Sequence, residues 1–65
     1  MATSSLDALP RIGIPATRAL HAAGYITLRG LAGASRADLA KLHGVGPKAL
    51  QIIETALKEH GLALR

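Results

Sequence analysis

Gly44-Val45-Gly46-Pro47-Lys48 lies between two apolar-periodic runs, residues 39–42 and 49–57. It reads as a tight turn joining two helices. Two glycines around one aliphatic residue let the backbone bend sharply and approach another molecule closely. Pro47 suits the first turn of a new helix, where a missing N–H costs nothing. The unbonded N–H groups at that helix start attract anions, and Lys48 adds a positive charge beside them. The combination fits a nucleic-acid phosphate.

The surrounding chain is short and aliphatic. Its 65 residues make one small domain, and a chain of this size buries only about 60% of the surface its unfolded form exposes. It contains no Cys, Phe or Trp and a single Tyr, which excludes disulfides and thiolate metal sites. Thirteen alanines and eleven leucines predict closely packed helices, since these residues are strong helix formers. No apolar run approaches the roughly 20 residues that span a bilayer. Met1-Ala2-Thr3-Ser4-Ser5 lacks the basic and apolar regions of a signal peptide. Residues 1–4 are expected to be a short disordered lead, residues 5–65 the folded domain, and the location cytoplasmic. Eight Lys or Arg against four Asp or Glu give a net charge of +4. That excess bears on an anionic partner only if the charges gather on one face.

Five short helices are predicted, and no strand. Residues 5–9 can make one helical turn, stopped by Pro10. Pro15 opens a helix to about Ala23, with Ala16, Ala19, Leu20 and Ala23 as its apolar stripe and Gly24 as its left-handed stop. Tyr25 and Ile26 are expected to fold back onto the core. Thr27 caps a short helix carrying Leu28 and Leu31, ended by Gly33. Ser35-Arg36-Ala37-Asp38 has capping-box spacing and starts a helix with Leu39 and Leu42. The last helix runs from Pro47 to about Glu59, with Ala49, Leu50, Ile53, Ala56 and Leu57 on its apolar side. Glu54 and Lys58 are spaced as an i, i+4 ion pair. Leu62 and Leu64, beyond Gly61, are expected to tuck back.

A weak repeat appears at a shift of 33 residues. Leu6, Leu9, Ile12, Gly13 and Ala16 fall on Leu39, Leu42, Val45, Gly46 and Ala49. Both copies read apolar helix, glycine turn, alanine-rich helix, although Arg11 stands in the first where Gly44 stands in the second. Two such units about a pseudo-two-fold axis would share one core and present both turns on one side.

Catalytic chemistry finds little support. No Ser lies in a nucleophile context, and Asp7, Asp38, Glu54 and Glu59 read as caps and helix-face partners rather than the clustered carboxylates of a metal-dependent nuclease. His21, His43 and His60 lack metal-ligand spacing. A non-enzymatic module without cofactor or metal is expected. One aromatic cannot build a platform for stacking successive bases of a single strand, so duplex is the expected nucleic acid.

Residues 39–50, Leu39-Ala40-Lys41-Leu42-His43-Gly44-Val45-Gly46-Pro47-Lys48-Ala49-Leu50, resemble the helix-hairpin-helix DNA-binding motif. The paired arrangement is similar to the double helix-hairpin-helix domain, as in the C-terminal domain of the bacterial RNA polymerase alpha subunit. The similarity runs from about Leu6 to Leu64 and takes in the Ala23-Gly24-Tyr25-Ile26 crossover and the Gly61-Leu62-Ala63-Leu64 ending. It implies a compact, SAM-like all-α bundle whose hairpins hold duplex phosphates across the minor groove through backbone N–H groups, without reading sequence. The DNA-contacting residues it implies are Gly13, Gly44, Val45, Gly46, Lys48 and Ala49, and Arg18, where the family has no arginine, is expected to join them. The polymerase domain's minor-groove arginine aligns with Pro15, and Arg18 stands one turn further on. Transcription or repair proteins are the alternative partners it implies.

Overall fold

The computed structural model describes residues 5–65. Within them the chain forms four helices, α1 (Ile14–Ala22), α2 (Leu28–Leu31), α3 (Arg36–Ala40) and α4 (Pro47–Glu59). No strand occurs among the described residues, so the fold is all-α as expected. The lead expected at residues 1–4 lies outside the described residues.

The fifth expected helix, at residues 5–9, is a turn and a bend instead. Its carbonyls are committed elsewhere. Leu6 O accepts from Arg29 N–H at 2.9 Å and Ala8 O from Leu28 N–H at 3.1 Å. In a helix the Leu6 carbonyl would need the N–H of residue 10, and Pro10 has none. The segment therefore serves as a backbone cap for α2.

The two longer helices end the same way. Gly24 N–H donates to His21 O at 3.0 Å and Tyr25 N–H to Leu20 O at 2.8 Å. At the end of α4, Gly61 N–H donates to Lys58 O at 3.0 Å and Leu62 N–H to Leu57 O at 2.9 Å. Both are Schellman motifs turned by a positive-φ glycine, Gly24 or Gly61. Helix α4 has 13 residues and α1 has 9, so α4 is four residues longer, about one turn.

The core is aliphatic. Helix α4 buries Ala49, Leu50, Ile53, Ala56 and Leu57, the stripe expected from spacing. Helix α1 adds Ala16 and Leu20, α2 adds Leu28 and Leu31, α3 adds Leu39, and the loop before α4 adds Val45. Ala23 does not join the α1 stripe. It is the C-cap of that helix and is exposed. Tyr25, Leu62 and Leu64 pack half-buried against the core, as expected from the residues that follow each glycine stop. Ile26 stays exposed. The tail is tied down by backbone bonds: Gly33 N–H to Ala63 O at 2.9 Å, Arg65 N–H to Ala34 O at 2.8 Å, and Arg36 N–H to Arg65 O at 2.9 Å. No helix is long and apolar enough to cross a membrane among the described residues.

The 33-residue repeat has a counterpart in the backbone. Thr17 N–H donates to Gly13 O at 3.0 Å, and the equivalent Leu50 N–H donates to Gly46 O at 3.1 Å. Ala16 and Ala49 are both buried, as are Leu20 and Ile53. The two units meet at Gly44. This residue has φ +99°, and a Cβ there would lie 2.7 Å from the Pro15 carbonyl oxygen and 3.1 Å from its carbon. The second hairpin is thus seated on the first turn of α1 through a contact only glycine allows. Gly46 differs. Its φ is −94°, and a Cβ would meet nothing within 4 Å.

Gly44→Ala should therefore cost at least about 1–3 kcal/mol through its left-handed backbone alone, with the contact to Pro15 adding to that. In a domain this small the melting temperature should fall by about 4–8 °C per kcal/mol. Gly46→Ala should change stability by less than about 0.5 kcal/mol. Thermal and urea unfolding of the two variants check the contrast; equal losses would contradict it.

Candidate nucleic-acid interface

The N–H groups at a helix start have no partner inside the helix and must be satisfied by something else. In this chain the four starts divide into two kinds. At α2, Leu28 and Arg29 donate to the Ala8 and Leu6 carbonyls, and Thr27 Oγ1 accepts from Gly30 N–H at 3.0 Å. At α3, Arg36 donates to Arg65 O and Ser35 Oγ accepts from Asp38 N–H at 3.3 Å. Asp38 itself sits in the first turn of α3, where a carboxylate complements the helix dipole. These two starts are closed by the protein.

The starts of α1 and α4 are left open. Their N-caps are glycines, Gly13 and Gly46, which provide no side-chain bond, and neither first turn carries an acid. Proline occupies one of the first two helical positions in each, which removes one orphan donor without supplying an acceptor. The N–H groups of Gly13, Ile14 and Ala16, and of Gly46, Lys48 and Ala49, find no protein acceptor among the described residues. Because Gly44 rests on Pro15, the two open starts are neighbours.

The charges divide similarly. Arg29 pairs with Asp7 at 3.5 Å and Arg36 with Glu54 at 3.0 Å. Arg65 Nε donates to Gly33 O at 2.8 Å. The expected Glu54–Lys58 pair does not form, because Glu54 accepts from Arg36 of α3 instead. Arg11 and Arg18, before and within α1, have no acidic partner among the described residues, nor do Lys41 and Lys48 around the second hairpin. All four are exposed. Surface ion pairs are worth little in stability. Their effect here is on distribution: two acids are taken up by arginines of α2 and α3, and Arg11, Arg18, Lys41 and Lys48 are left around the two hairpins, with Lys58 left in the last turn of α4.

The residues expected to touch DNA occupy different positions in this arrangement. Gly46 and Lys48 are exposed at the start of α4, and Gly13 at the start of α1. Arg18 is exposed on α1. Gly44 is exposed, but its conformation and its seat on Pro15 already require glycine. Val45 is only 6% exposed and Ala49 only 8%, so both side chains belong to the core and only their backbones remain for a ligand. Arg11, outside the expected set, stands at the first hairpin. Its position as the counterpart of Gly44 in the repeat was the one available signal. His43 is exposed beside the second hairpin.

No curated protein and no solved structure matches this chain. A family model described as a SAM-like helix-hairpin-helix tandem matches residues 3–59, a span that contains both hairpins and all four helices. With two glycine-capped hairpins seated on one another around a shared core, the chain belongs to the SAM-like helix-hairpin-helix tandem family.

Proposed function

We propose that this chain is a non-enzymatic double-stranded DNA-binding module. It grips backbone phosphates across the minor groove, with low sequence specificity. One observation carries the reading: of four helix starts, the two at the glycine hairpins have neither a side-chain cap nor an acid in the first turn, and unpaired cations flank them. An open helix start attracts phosphate through its N–H groups and dipole. Phosphate contacts position a protein on duplex without reading its sequence. Membership of a family typically associated with nucleic acid supports the same reading.

A second reading, an interaction module of the transcription or repair machinery, draws on Pro15. This residue stands where the polymerase alpha domain has its minor-groove arginine, and its backbone is packed against Gly44. A backbone-amide NMR titration with a short duplex separates the two. DNA binding moves the amide signals of Gly13, Ile14 and Ala16, and of residues 44–46, 48 and 49. A duplex that leaves them unmoved favours the protein partner.

With about 3–5 phosphate contacts, log affinity for duplex should fall with log salt at a slope of roughly −3 to −4. Absence of salt-sensitive binding near 50 mM salt would refute the proposal. Lys48→Glu should weaken binding about equally for all sequences and reduce the slope by about 1. An acid in the first turn of α4 favours the helix by about 0.3–1 kcal/mol, so unfolding cannot account for the loss. Gly46→Val should keep the fold, since its backbone is extended and its surroundings empty. The added side chain should weaken duplex binding by about tenfold or more, equivalent to about 1.4 kcal/mol. Fluorescence anisotropy with labelled duplexes measures each quantity.

A further inference from the structure

The first hairpin carries a further feature. Beside it lies an open cavity of about 430 Å³, lined by Arg11, Ile12, Gly13, Ile14, Thr17 and Arg18. This is within the range of about 300–1,000 Å³ typical of pockets that take small organic groups. Its apolar wall includes Ile14, which is 70% exposed at the first position of α1. The equivalent position in α4 is Pro47. The fold makes little use of the Ile14 side chain, since the core is built from other residues. Among the described residues, the charged ones lining the cavity are Arg11 and Arg18, and neither has an acidic partner there. The Thr17 hydroxyl donates to Gly13 O at 2.8 Å, so its proton is already committed.

We propose that this cavity receives an unstacked nucleobase, so that the module prefers DNA containing an unpaired nucleotide. The inference rests on the DNA-binding reading above and adds a ligand subsite to it. A nucleobase is flat and apolar on its faces, which suits the wall formed by Ile12 and Ile14. A guanidinium is planar and stacks on such a face while remaining attracted to the neighbouring phosphate. This replaces the aromatic platform that the chain lacks. The cavity is continuous with the open start of α1, so a phosphate there and a base in the cavity belong to one nucleotide. An intact duplex keeps its bases stacked and paired, and only an unpaired nucleotide offers a base without the cost of breaking a pair.

The test measures affinity by fluorescence anisotropy at 50 mM salt for three duplexes of one sequence. One is fully paired, one carries a single unpaired nucleotide, and one carries an abasic residue at that unpaired position. The expected result is about tenfold tighter binding of the unpaired nucleotide than of the paired duplex, within the range of single-base stacking contributions. The abasic duplex should lose that preference. Ile14→Ser and Arg18→Ala should bring the ratio of unpaired to paired affinity close to one. Equal affinity of the native protein for all three duplexes overturns the subsite but leaves the duplex-binding reading standing. A preference that survives in the abasic duplex or in both variants overturns it too, because backbone bending alone would then be read. Failure to bind even the paired duplex refutes the DNA reading itself. Amide signals of Ile14 and Thr17 that respond to an acidic apolar peptide, and not to the unpaired nucleotide, assign the cavity to a protein partner and overturn the proposal.

Discussion

At Gly44 the chain passes so close to the Pro15 carbonyl that a methyl group would sit 2.7 Å from the oxygen. That approach fixes the position of one hairpin on the other. Gly44 must adopt a positive φ to turn the chain from α3 towards α4, and it must lack a side chain to reach Pro15. The turn leads straight to Val45, whose buried side chain anchors the loop in the same core that holds Ala16 and Ala49. Hairpin, contact and core therefore form one mechanical unit. The placement of the two open helix starts follows from it.

The small core makes the polar bookkeeping at the helix ends consequential. A short helix has few internal bonds to set against its orphan groups, so α2 and α3 depend on partners from distant segments: the carbonyls of residues 6 and 8, and the tail at Arg65. Helices α1 and α4 have enough turns to satisfy most of their own backbone, and each closes its C-terminal end with the same glycine motif. They leave only their N-terminal ends unfilled. The fold thus sets two open helix starts side by side with Arg11, Arg18 and Lys48 near them, while the acids Asp7 and Glu54 are engaged with Arg29 and Arg36.

What could be read from the sequence was what is encoded locally. Pro15 and Pro47 mark helix starts, Gly24 and Gly61 mark stops, and the α4 stripe follows from its spacing. Thr27 and Ser35 cap as their positions suggest. Two of the misses share a cause, namely partners far along the chain. Residues 5–9 have the composition of a helical turn, but their carbonyls are drawn to residues 28 and 29. Glu54 has a well-spaced Lys58 on its own helix, yet it pairs with Arg36 from another. Gly44 read as a glycine kept for a ligand, while the fold supplies its own reason in Pro15. The exposure of Ile14 was equally hidden, because an isoleucine beside a proline at a helix start carries no local sign of which way it faces.

The span matched to the family closes at residue 59, one residue before His60, the C-cap of α4. The six residues after it are half of a seam. They carry the glycine stop of the longest helix, and residues 63–65 stitch to the loop between α2 and α3. A fragment cut at the edge of the matched span would fray at α4 and at the start of α3 together. The minimal cooperative unit of this domain therefore takes in residues 60–65.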